Sequence, residues 1–264
     1  MPRWLVSVGR SFYALGMIGI GIEFFVFRNF IPVIVASFPA AIPGRTLWIY
    51  VIGAAIIAAG LAILLNVQGR TVASVLGWAL LGSLLIDHIP AQLAHNPGIL
   101  GVWGNAFKIL TLCGGAWVSA GSFQQGSPAL SSPLEKFMSF GRYFLAITVV
   151  VFGYEHFLYT DFVATLVPAW IPWHYFWTYF AAVALIVSGL AMILNVKARL
   201  AALMLGIMIF LWFVMLHIPR AIANPTGGIG NETSSVFEAL AFSGIAFMLA
   251  ALPAQNPFAI SAKK

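Results

Sequence analysis

The chain has 264 residues, 61% of them hydrophobic and 8% charged, with a mean hydropathy of +0.98 and a net charge of +6. That composition excludes an ordinary soluble domain and points to a membrane protein. Lys263-Lys264 is the only adjacent basic pair, so no nucleic-acid-binding patch is expected, and the single cysteine, Cys113, excludes an intrachain disulfide or a CxxC pair.

A membrane span takes about 20 mostly apolar residues. The N-terminal stretch MPRWLVSVGRSFYALG has no small-residue cleavage site behind a short apolar core, so the first apolar segment is expected to be retained. Eight segments qualify as spans: residues 9–29, 47–65, 70–90, 104–120, 141–160, 175–194, 199–219 and 235–252. Backbone groups in lipid must pair internally, and ten-residue alternation is absent, so all eight are read as helices. The connections between spans 2–3 and 6–7 are very short, whereas the loops IPVIVASFPAAIPGRTLW and DFVATLVPAWIPWHYFW are long and rich in aromatic residues. Trp170 and Trp173 in the second loop read first as interfacial anchors and also as ligand-facing candidates. Eight spans put both termini on one side. Arg3, Arg10, Arg70, Lys136, Arg142, Lys197, Arg199, Lys263 and Lys264 fall on that side, and Arg28, Arg45 and Arg220 on the other. The positive-inside rule then makes both termini cytoplasmic.

The chain is written twice. Gly9-Arg10 recurs as Gly141-Arg142, and Glu23 recurs as Glu155, 132 residues later. From Ile42 the offset is 129: Ile42-Pro43 maps to Ile171-Pro172, Asn66-Val67 to Asn195-Val196, and His88-Ile89-Pro90 to His217-Ile218-Pro219. Self-similarity of this kind defines the folding unit. The expected organisation is a four-helix repeat at 1–120, a Gly/Ser/Pro-punctuated cytoplasmic linker at 121–140, and a second repeat at 141–264. Four spans per copy preserve direction, so the expected fold is all-α integral membrane, with eight transmembrane helices as two parallel four-helix bundles related by a pseudo-two-fold axis.

Four elements of the second half carry a family resemblance: Glu155-His156-Phe157, Val167-Pro168-Ala169-Trp170-Ile171-Pro172, Ser188-Gly189-Leu190, and the basic turn from Lys197 into the alanine-rich helix at Ala202. The stretch from Glu155 resembles the DoxX family, which has an (E/H)HF element late in its first helix, a VPxWIP loop, a G-L in its second helix and a short basic turn. The first half resembles it more loosely, through GIEFFVF, FPAAIPG, GLAILLNVQGR and TVASVLG. The resemblance implies a bacterial inner-membrane protein and, for some members, a link to quinone-dependent sulfur or thiol oxidation. Members of the family usually have one four-helix unit, and this chain has two.

Ionisable groups within apolar spans are the candidate site, because each is costly there unless partnered. Glu23 lies fourteen residues after Gly9, about 20 Å along a helix at 1.5 Å per residue, and Glu155 stands at the same depth. His88 and His217 end spans 3 and 7 at the same side. The expectation is a Glu23–His88 and a Glu155–His217 pair, able to move a proton or hold a polar ligand group. The structural alternative is that these pairs only satisfy one another, with Pro90 and Pro219 ending the helices. Asp87 adjoins His88, and His156 adjoins Glu155. Lys108 and Glu238 occupy matching positions in spans 4 and 8 with opposite sign. Lys108 is expected to meet Asp87 or Glu23, and Glu238 to meet Arg220. The second half is the favoured site.

None of the five histidines has HxxH, HxxxH or ExxH spacing, so no metal site is expected. A bis-histidine haem would need His88 and His217 to face one axis and is the weaker reading. The leading function is a redox-associated protein binding a quinone or another lipophilic small molecule near the outer face. The alternatives are a small-molecule transporter and a non-catalytic subunit anchoring a periplasmic oxidoreductase; the sequence does not decide whether the protein is an enzyme.

Overall fold

Long apolar runs become long helices, which pair their own backbone groups. The computed structural model describes residues 4–95, 97–123, 133–227 and 231–253, and no strand occurs among them. Eight long helices are present among the described residues: α1 Trp4–Phe27, α2 Arg45–Leu64, α3 Gly69–His95, α4 Gly104–Ser122, α5 Gly141–Leu158, α6 His174–Ile193, α7 Ala198–Ala223 and α8 Asn231–Ala251. A short helix, Pro133–Met138, leads into α5, and another, Thr160–Leu166, lies between α5 and α6. Residues 124–132 of the expected linker lie outside the described residues.

Seven of these helices are long and apolar enough to cross a membrane, α5 being counted together with its lead-in. The exception is α4, which carries Asn105, Lys108 and four glycines. Its lower apolarity has a packing cause. Ala106, Ile109 and every residue from Thr111 to Ala120 are buried against protein, so the helix exposes little surface. Small residues suit that environment because they let helix backbones approach closely.

The prolines do not end their helices. Both α3 and α7 continue past Pro90 and Pro219, each through a π-helical turn, Leu84–His88 and Phe213–His217. A proline removes one N–H and crowds the carbonyl four residues back; the wider π turn lies at that carbonyl and absorbs the misfit. The short connections are as expected. Asn66 and Gln68 turn α2 into α3, and Asn195 and Lys197 turn α6 into α7, all four with positive φ.

Neighbouring helices in sequence pack together, yet the halves also interlock. α1 lies between α2 and α8, and α5 lies between α6 and α4. α3 packs on α4, α7 on α8, and α4 touches α8. Within each half the first and fourth helices barely touch. A Cβ on Gly9 would strike the Gly244 carbonyl of α8, and one on Gly114 of α4 would strike the Gly141 carbonyl of α5, so both crossings need glycine.

Candidate functional site: a buried charge cluster between the halves

The contact between α4 and α8 sets the site. Lys108 Nζ and Glu238 Oε2 form an ion pair at 2.8 Å, with side chains 21% and 6% exposed. This corrects the expected pairings. Asp87 is not available to Lys108, because its carboxylate accepts hydrogen bonds from Ala36 N–H at 2.6 Å, Ser37 N–H at 2.9 Å and Ser37 Oγ at 2.7 Å. Arg220 is not available to Glu238, because its guanidinium holds Glu232 in a bidentate pair, with Nε–Oε2 at 2.9 Å.

Glu23 is fully buried late in α1, and its Oε2 accepts a hydrogen bond from Ser234 Oγ at 2.9 Å. The expected partner was His88. The two do not meet, because α2 separates α1 from α3 and α1 packs on α8 instead. Glu23 Oε1 has no hydrogen-bond partner among the described residues. Ser234 precedes Glu238 by four residues, one turn on the same helix face, so α8 presents both to this cluster.

Glu155, at the matching depth in α5, is half-buried with Oε1 shielded and without a hydrogen-bond partner. His217 is half-buried, and its Nδ1 is likewise shielded and unpartnered. The expected Glu155–His217 hydrogen bond is therefore not formed. Both groups instead lie within electrostatic reach of Lys108, as does Glu23. Lys108 is the common neighbour of the cluster.

The other candidates sit elsewhere. His88 is wholly buried beside Asp87. The nearby Ile34 carbonyl accepts from Ser83 Oγ at 2.6 Å, and neither His88 nitrogen finds a partner in hydrogen-bond geometry. Among the described residues α3 packs mainly on α4 and α7 mainly on α8, so His88 and His217 sit on helices that are not packed against each other. His156 Nδ1 bonds its own helix at the Phe152 carbonyl, 2.7 Å away, and its ring stacks on Trp212. Trp170 and Trp173 are largely exposed, Trp173 with positive φ at the start of α6. Trp170 also lines an open groove of about 370 Å³ with Leu166, Val167, His174, Leu216 and Arg220.

Two polar residues of this region were not singled out in the sequence, Ser234 and Glu232. Helical spacing from Glu238 would have found Ser234. Glu232 sits in the first turn of α8, where an acid is favoured by the helix dipole, and that signal names a helix start better than a partner.

Chemically, the cluster offers three carboxylates, one ammonium, a hydroxyl and an imidazole, ranging from fully buried Glu23 to half-buried Glu155 and His217. Burying an ion pair costs desolvation that only good geometry and added hydrogen bonds offset. Carboxylate oxygens left without donors can take a proton or a ligand's donor group.

Residues 137–218 match the DoxX family model. No curated protein and no solved structure matches the chain. The family match takes in Glu155, His156, Trp170, Trp173 and His217 and stops before Arg220 and α8. This multi-pass helical membrane protein is thus DoxX-like across residues 137–218.

Proposed function

We propose that the chain is a tandem of two parallel DoxX-like units, eight spans in all, related by a pseudo-two-fold axis in a bacterial inner membrane with both termini cytoplasmic. Recurring contacts support the tandem. The Gly9–Gly244 and Gly141–Gly114 crossings stand at matched positions. So do the two π turns. Cys113 Sγ donates to the Gly77 carbonyl at 3.2 Å, and Ser243 Oγ, 130 residues later, donates to the Gly206 carbonyl at 2.9 Å. Cys113 is in this reading a structural side chain with no redox role.

The tandem binds the polar head of a lipophilic small molecule near the outer face, a quinone being the leading candidate. The observation that carries this reading is the Lys108–Glu238 pair flanked by Glu23 and Glu155, each with an unpartnered buried oxygen. An ionisable group within a membrane span marks a candidate functional site. A quinone carries carbonyl oxygens that can accept hydrogen bonds from the Lys108 ammonium, which has donors beyond the one facing Glu238. The test is to purify the full chain in mild detergent, extract it, and measure bound molecules by mass spectrometry and absorbance. The expected result is a quinone bound in stoichiometric amount. Flux of a solute with no redox molecule bound would favour a transporter, and co-purification of a periplasmic oxidoreductase without a quinone would favour an anchoring subunit.

A further inference from the structure

The two halves differ in the loops at the ends away from the termini. In the first, the loop between α1 and α2 turns inward, and Phe30, Ile31, Val33 and Ile34 are buried. Two side chains of α3 hold it: Ser83 binds the Ile34 carbonyl, and Asp87 accepts the three hydrogen bonds from Ala36 and Ser37. His88, next to Asp87, is completely covered. The matching position in the second half, 129 residues on, is Leu216. Leucine cannot accept those bonds, and the second loop is not drawn in. Phe162 there is 65% exposed, whereas Phe30 is 7% exposed. Leu216 lines the open groove, and the neighbouring His217 is only half-buried.

The chemistry of the groove narrows what enters it. Its apolar wall is Leu166, Val167, Trp170 and Leu216. Its polar side chains are Thr165, whose hydroxyl donates to the Phe162 carbonyl, His174 and Arg220, and the Arg220 charge is balanced by Glu232. That pairing uses Nε and one terminal nitrogen, so the rest of the five guanidinium donors remain. A neutral head carrying hydrogen-bond acceptors fits a balanced pair of this kind better than a strongly anionic one.

We propose that Asp87 seals the first half and that ligand exchange takes place only through the second, at the groove beside Leu216, for a lipophilic molecule with a neutral carbonyl-type head. The nature of the ligand rests on the function proposed above; the seal does not.

The test uses the full chain with Cys113→Ser, single cysteines introduced as Ile34→Cys or Ala169→Cys, and maleimide labelling in membrane vesicles open to the outer face. Ala169 is exposed in the groove, so it should label at least about tenfold faster than position 34, which requires local opening. Asp87→Leu should raise the rate at position 34 by about tenfold and leave position 169 unchanged. Should that variant fail to fold, Asp87→Asn, which keeps one acceptor oxygen, should give a smaller rise. Equal rates at both positions with Asp87 intact, or no rise in either Asp87 variant, overturns the seal. A short-tail, fully ring-substituted benzoquinone should slow labelling at position 169 only. If the seal holds and the quinone gives no protection, the ligand assignment fails and the seal stands.

Discussion

A membrane-buried charge announces itself in a sequence, but its partner does not. Glu23, Lys108, Glu155 and Glu238 were legible because each interrupts an apolar run. Their pairings depend on which helices touch, and nothing in a four-span repeat says that α1 meets the other half's α8 rather than its own α3. Lys108→Met should therefore act mainly through what it leaves behind. It strands Glu238 and should destabilise the protein by about 3–5 kcal/mol. Adding Glu238→Leu should recover much of that loss, because an apolar pair of similar volume avoids the desolvation cost. Thermal unfolding in detergent of the two single variants and the double variant gives the coupling, and strictly additive losses would contradict a direct pair. Cys113→Ser should change stability by less than about 1 kcal/mol, since Ser243 already makes the equivalent bond to a helix carbonyl. A large loss would show that Cys113 has a role Ser243 does not share.

Helix positions were legible from apolar length, and helix ends less so. Pro90 and Pro219 read as terminators, yet the π turns carry both helices on by further residues. A sequence marks the proline but not the turn that accommodates it. Low apolarity in α4 has the opposite lesson: a helix that faces protein on most sides needs small residues more than greasy ones. The glycine crossings make this testable. Gly114→Leu drives a side chain into the Gly141 carbonyl and the Phe144 side chain, so the helix backbones must move apart. It should cost about 1–3 kcal/mol or more. The same change at Gly82, which has open space around a built Cβ, should cost far less. Melting temperatures of the two variants in one detergent decide it, and equal values would refute the close crossing.

At the scale of the whole molecule the expected repeat divides the chain into two stretches but does not say how their helices interlock. Offsets of 132 and 129 align the copies in sequence, whereas the contacts of α1 with α8 and α5 with α4 make each unit depend on the other. Residues 1–123 and 133–264 produced as separate chains should accordingly be unstable alone and assemble when co-expressed, as co-purification through one tagged chain would read. A first half that is folded and monomeric by itself would contradict the interlocked arrangement. The loop asymmetry was partly legible too, in Asp87 against Leu216, but only the hydrogen bonds to Ala36 and Ser37 give that difference a consequence.

The central claim is that the charge cluster between α4 and α8 receives the head of a lipophilic ligand. The most direct measurement is binding of a short-tail benzoquinone to the purified chain, followed by quenching of tryptophan fluorescence, in the unmodified protein and in Glu23→Gln, Glu155→Gln and Lys108→Met. Saturable quenching in the unmodified protein is expected, weakened at least about tenfold in Glu155→Gln and Lys108→Met, the loss of one good hydrogen bond to a buried charged group. Saturable binding of equal affinity in all four folded proteins, or none in the unmodified chain after its native lipids are removed, would contradict the account.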